Sequence, residues 1–298
     1  MKTLGILIRR NTKLFFKDKG VFFTSLIAPL ILLLLFITFL GNVYRDSFSS
    51  CLPEGMKVAD KLMEGFVGGW LLSSLLAVCC ITVAFSANMI MVQDKVNRVR
   101  GDLTITPVKS EALSLGYYVS SVLVTGIICY TAVGIGFVYL SQVGWYLSAT
   151  DVGMILLDVF LLILFGTALS SLVCAFVKNQ GGITAVTTIV SAAYGFLCGA
   201  YMPISSFSDS IQKFIKCLPG TYGTSLLHNH FMSGCFDEME KIGFPAEVVT
   251  QISDGFDNSL YFNGTLVGME QMYLILIGTI VVLLVLYLVV SKLKKNDN

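Results

Sequence analysis

The sequence predicts an all-α polytopic membrane protein. Six transmembrane helices follow an amphipathic interfacial helix, with short re-entrant or extracellular helices between the fifth and sixth spans. Three observations predict the membrane bundle and its spans. The 298 residues are 55% hydrophobic and only 13% charged, where a soluble domain carries about 25% charged residues, and the mean hydropathy is +0.79. The apolar residues come in six long runs, each near the length of about 20 residues that crosses a bilayer. The basic residues gather on one side of those runs. Length alone would allow two soluble domains, but with this composition it reads as one bundle.

Residues 3–19, TLGILIRRNTKLFFKDK, place Leu4, Leu7, Ile8, Leu14 and Phe15 on one helical stripe, with Arg9, Arg10, Lys13 and Lys17 largely elsewhere. That pattern suits a helix lying in the interface with cations toward headgroups; a plain positive flank to the first span is the alternative. The first span, about 21–41, contains Pro29 as a kink. Its apolar run is too long for a signal peptide and no small-residue cleavage site follows. A polar stretch turns at Pro53-Glu54-Gly55, and the second span covers about 66–92.

Residues 93–111, QDKVNRVRGDLTITPVKSE, form a charged island between two of the most apolar segments. Asp94 to Ile105 can form a short helix at the membrane face, stopped at Pro107. The third span, about 112–141, exceeds what a bilayer needs and is expected to tilt or protrude. Trp145 and Tyr146 suit an aromatic belt before the fourth span, about 152–176. Gly181-Gly182 breaks the chain before the fifth span, about 183–202. The segment 203–269 is polar and extracellular, and the sixth span covers about 271–291. Residues 236–260 read as a solvated insertion.

With the amino terminus inside, 14 of the 20 Lys and Arg fall on the inner side and every inner loop is basic. Such asymmetry sets orientation, so both termini are expected in the cytoplasm.

Several function classes drop out. There is no basic stripe for nucleic acid. There is no G-x-x-x-x-G-K-[ST] loop, and the dipeptide Gly-Lys never occurs, so the chain has no phosphate loop of the familiar kind. No catalytic set is apparent, and the expectation is a protein that is not an enzyme by itself. His228 and His230, two residues apart, do not share a helix face, and with Cys217 and Cys235 they fit no standard zinc spacing. They read as polar surface or interface residues. Cys217 and Cys235 can form a disulfide if their segment is extracytoplasmic. Asp158 is the one acidic residue deep in an apolar run. It is either a proton or substrate site or an interhelical polar contact to a Ser, Thr or backbone partner.

Two motifs carry a resemblance. The island reads R-x-R-G-D-L-x-x-x-P from Arg98 through Arg100, Gly101, Asp102 and Leu103 to Pro107, followed by a long span. At the outer end of the fifth span stand Gly199-Ala-Tyr-Met-Pro203, then Cys217-Leu-Pro219-Gly-Thr-Tyr222. In this order on a six-span frame, the chain resembles the membrane (permease) subunit of a type-2 ABC transporter, of the type V exporter architecture. Arg98, Gly101, Leu103 and Pro107 match the family's loop pattern, whereas Asp102 departs from its usual small polar residue. The resemblance covers nearly the whole chain, except roughly Ser233 to Gly268.

The resemblance implies two permease subunits, the same or homologous, in a plasma membrane of bacterial type, and two separate ATPase subunits that bind ATP and Mg. The permease itself would hold no cofactor and no metal. The helix with Arg9, Arg10, Lys13 and Lys17, and the loop with Arg98, Arg100, Gly101, Asp102, Leu103 and Pro107, would contact the ATPase. Gly199, Pro203, Ile211, Phe214, Pro219 and Tyr222 would build an extracellular gate. The cargo expected is lipophilic or amphipathic: a drug, a peptide or a lipid-linked molecule. Two other classes stay open on sequence: a stand-alone secondary transporter or channel, and a receptor or immunity protein using the 203–269 segment.

Overall fold

The computed structural model describes residues 2–53, 58–99, 103, 110–262 and 264–296. Helix α1 (Lys2–Lys17) is amphipathic, as its stripe predicts. Asp18 caps the next helix, accepting a hydrogen bond from the Val21 N–H. Helix α2 (Lys19–Leu35) contains Pro29 and passes through a π-helical turn at Phe36–Leu40 into α3 (Gly41–Ser50). The first apolar element is therefore continuous over 19–50, longer than the expected 21–41.

Helix α4 (Asp60–Ala87) is the most enclosed element, and it touches nearly every other long helix. It breaks at Asn88 and resumes as α5 (Met89–Val96). The expected single helix over 94–105 is not formed. Arg98 takes a left-handed φ of 60°, which a non-glycine side chain resists, and Val99 and Leu103 are helical again. Helix α6 (Ser110–Val143) has 34 residues, about 50 Å at 1.5 Å per residue, beyond a hydrocarbon core of about 30 Å.

Helix α7 (Ala149–Phe176) opens on a capping box between Ser148 and Asp151. Helix α8 (Gln180–Leu197) is capped by the Asn179 side chain. Among the described residues, five helical stretches are long and apolar enough to cross a membrane: Pro29–Ser50, Asp60–Val96, Glu111–Val143, Ala149–Phe176 and Met269–Leu293. Helix α8, on the fifth expected span, has 18 residues and is not among them.

The 203–269 segment departs most from expectation. After a short helix α9 (Asp209–Ile215) comes α10 (Pro219–Lys241), 23 residues long and buried along most of its length. It packs against α4, α7 and α12 (Met269–Asn296). A Cβ at Gly234 would collide with the Tyr146 carbonyl, so only glycine permits that approach. The following helix α11 (Ala246–Gly255) and residue Phe256 close a second apolar core with Tyr44, Phe48, Phe66 and Trp70. The Phe66 and Phe256 rings meet edge to face at 5.0 Å. Residues 236–260 are therefore not a solvated insertion; Met239, Val248, Ile252 and Phe256 are buried. Asp237, Glu240, Lys241, Glu247 and Asp254 face outward and hide this in composition. The segment ends in a two-residue antiparallel hairpin, Tyr261–Phe262 with Thr265–Leu266.

All eight cysteines are free. Cys217 precedes α10 and Cys235 lies more than four turns along it, so a helix separates them by about 24 Å, far beyond disulfide reach.

Candidate coupling site

The charged island begins inside α5, where Ile90, Met91 and Asp94 share the buried side. An isolated carboxylate there would be costly, so the neighbouring elements converge on it. Arg10 on α1 grips Asp94 with both guanidinium nitrogens, Nη1 to Oδ2 at 2.6 Å and Nη2 to Oδ1 at 2.8 Å. The Tyr117 hydroxyl on α6 donates to the same Oδ2 at 2.6 Å. A forked, charge-assisted pair of this kind fixes orientation as well as distance. The hydrogen bond to Asp94 raises the Arg10 guanidinium above its ordinary pKa and outweighs partial burial.

The clamp extends through α1. Buried Asn11 accepts from Arg10 Nη1 at 2.9 Å and donates to Ser120 Oγ on α6 at 3.3 Å. Below it, Asn88 fills the break between α4 and α5. Its amide donates to Ser170 and Ser171 of α7 at 2.5 and 3.2 Å, and its carbonyl accepts from Ser121 of α6 at 3.0 Å. Lys95 Nζ donates to the Cys174 and Ala175 carbonyls at 2.7 and 3.1 Å, placing a cation on the negative end of α7. The root of the island is thus fastened to α1, α6 and α7 at once.

The sequence-predicted residues divide around this root. Arg9, Lys13 and Lys17 are exposed, while Arg10 turns inward. Arg98 is exposed beyond the clamp, and Leu103 is half-buried against the main core. Arg100, Gly101, Asp102 and Pro107 lie outside the described residues.

At the other end, Gly199 has a φ of 74° and closes α8 in a turn that a side chain would strain. Pro203 leads into a 3-10 turn, Ile204–Ser206. Pro219 starts α10, where its missing N–H costs nothing. The Tyr222 hydroxyl donates to the Lys216 carbonyl at 2.7 Å, stitching α9 to α10. Ile211 and Phe214 are exposed and Ile215 is buried, so the apolar stripe of α9 is split between core and surroundings.

Asp158 has partners that the sequence did not suggest. His230 Nδ1 lies 2.6 Å from Oδ2, and the Tyr273 hydroxyl donates to Oδ1 at 2.5 Å. Both histidines are buried at helix interfaces, so of the two readings, surface or interface, the interface one holds. His228 stacks on Trp70 and pairs with Ser74 Oγ at 3.1 Å. No group of three or more metal-ligating side chains occurs among the described residues.

Sequence reasoning also missed Asp94, Asn88 and Asp257. Asp94 had a visible signal, since it continues the apolar positions 90 and 91 at helical spacing. Buried Asp257 accepts from the Ile204 N–H, and the backbone carbonyls at Phe256, Asp257 and Asn258 accept from Trp70, Ser225 and Asn229. No local pattern marks that latch, because its parts lie up to 186 positions apart.

A model of the ABC-2 type transporter family matches residues 2–232. No curated protein matches the chain. The match runs from α1 into α10, so it contains Arg10, Asp94, Tyr117, the whole island and the Asp158–His230 pair. A multi-pass arrangement of apolar helices accompanies it. The chain belongs to the ABC-2 type transporter family and is a membrane component of such a transporter.

Proposed function

We propose that the chain is the permease subunit of an ATP-driven exporter, powered by separate ATPase subunits and paired with a second permease. The observation that carries this reading is the Arg10–Asp94–Tyr117 clamp. It ties the interfacial helix to the root of the charged island and to α6, so a push on either cytoplasmic element reaches the third long helix without slack. Arg98, exposed just beyond the clamp, is the contact point offered to the ATPase, and Leu103, half-buried against the core, seats the loop that carries it. The exposed face of α8, with Gly181, Ala185 and Ala192, suits close approach by a second copy; in this reading α8 is the fifth of six spans. The outer segment, stitched by Tyr222 and Asp257, caps the path. Apolar walls with few charges fit a lipophilic or amphipathic cargo, and both termini lie in the cytoplasm.

The test is reconstitution. Alone, the purified chain should hydrolyse no ATP; with its ATPase subunit it should assemble as two plus two and show substrate-stimulated hydrolysis. Leu103→Asp and Arg98→Glu should insert normally and lose that stimulation. Transport by the chain with no ATPase present would reject the proposal. It would favour a secondary transporter instead, which the buried Asp158–His230 pair supports.

A further inference from the structure

Helix α2 packs along α4 but does not close against α6. Pro29 lies in its length and the π-helical turn at Phe36–Leu40 joins its end to α3; both devices bend helices, and π-turns recur at functional sites. Between the three helices lies a cleft of about 960 Å³, at the upper end of the volumes that hold small ligands. Leu30, Leu33, Leu75, Ile128 and Ala132 line it. The Thr131 hydroxyl, also in the lining, is already bonded to the Ile127 carbonyl. The cleft's charged groups stand at one end, where Arg45 Nη2 meets Glu64 Oε1 at 2.8 Å beside Asn42 and Tyr139. That end is the outer one in the orientation given by the basic residues.

We infer that this cleft binds one zwitterionic phospholipid, with acyl chains between α2, α4 and α6 and the headgroup on Arg45 and Glu64. The charge pattern selects the headgroup. A simple anion placed there gains from Arg45 and loses to Glu64, and a simple cation does the reverse. A headgroup with a phosphate and an ammonium a few bonds apart satisfies both, phosphate to Arg45 and ammonium to Glu64. The apolar walls suit chains and offer a polar cargo nothing to bind. This inference needs the chain to lie in a bilayer; it does not need it to export anything.

Photo-crosslinking tests it. The full chain in nanodiscs receives trace phosphatidylethanolamine or phosphatidylglycerol carrying a diazirine in one acyl chain, and adducts are mapped by mass spectrometry. Adducts should concentrate on Leu75, Ile128 and Ala132 over exposed Leu274 and Val282 of α12. The zwitterionic probe should label the cleft about threefold more than the anionic one, the scale of one exposed charge pair. Arg45→Gln with Glu64→Gln should erase that preference and leave the chains bound. Ala132→Phe should reduce cleft adducts and leave those on α12 unchanged. Equal labelling of cleft and α12 would mean boundary lipid only, and equal labelling by both probes would remove the headgroup assignment. Crosslinks from cleft residues to a second copy would show that a protein fills the cleft. Each of these three results overturns the inference.

Discussion

Arg10 and Asp94, 84 positions apart, form a bidentate ion pair in which the carboxylate is buried and the guanidinium only partly so. Neither residue sits in a family-like motif, yet together they join the interfacial helix to the root of the charged island. The arrangement is asymmetric. Losing Arg10 leaves a buried carboxylate with Tyr117 as its remaining partner among the described residues, whereas losing Asp94 releases an arginine that can turn to solvent.

That asymmetry sets the first prediction. Arg10→Met should destabilise the protein by about 2–3 kcal/mol, below the cost of breaking a fully buried pair because Arg10 is partly exposed. Asp94→Asn should cost less. The double variant should lose less than the sum of the singles, as residues sharing one network do. Thermal unfolding of the four proteins in detergent measures the cycle; strict additivity would show that the pair is incidental.

Topology gives the second prediction, and the native cysteines supply a reporter. Cys217 is exposed near the outer segment, while Cys79, Cys80, Cys129, Cys174, Cys198 and Cys235 are buried. An impermeant maleimide added to intact cells should label the wild type, and Cys217→Ser should remove most of that signal. A single cysteine at Lys178, exposed between α7 and α8, should react only after permeabilisation. Labelling of that position in intact cells would invert the orientation.

The interior carboxylate supports the third prediction. Asp158 is held by His230 from α10 and Tyr273 from α12, so it joins three helices at one point. Tyr273→Phe should cost about 1–2 kcal/mol, the price of an unmade hydrogen bond to a buried polar group. His230→Leu should cost more, because it removes the partner of a buried carboxylate. Asp158→Asn combined with His230→Gln should recover part of the loss. Denaturation in detergent ranks the variants; His230→Leu as stable as wild type would mean that Asp158 finds another partner.

These features were unevenly legible in the sequence. The apolar runs, the interfacial stripe of α1 and the charged island could be read directly, because each is local and periodic. Helix α10 could not. Its His228, Asn229, His230 and Ser233 look solvated in composition, and their partners Ser74, Asn258, Asp158 and Asp151 are distant in the chain. A polar residue reads as exposed until its partner is known. Arg10 was legible as a cation and illegible as a clamp for the same reason.

Asp257 gives the last prediction. Its carboxyl is buried where the turn after α11 meets the Ile204 corner, and burial raises its pKa from 3.8 to about 7 despite hydrogen bonds from the Ile204 and Ser205 N–H groups. The folded state therefore holds the proton more tightly than the unfolded chain. The stability gained from that proton is fully present below pH 3.8 and is lost as pH rises through about 7. At about 1.4 kcal/mol per pH unit, the change is on the order of 4 kcal/mol. Other carboxylates oppose it at the acid end, so the informative quantity is the difference between wild type and Asp257→Asn. Asparagine keeps an acceptor for the Ile204 N–H and cannot ionise. The variant should match the wild type near pH 3.5, already exceed it at pH 5, and exceed it most at pH 8, in thermal unfolding and in protection of the 201–206 amides from hydrogen exchange. Parallel pH profiles for the two proteins would mean that Asp257 stays ionised within the outer cap throughout this range.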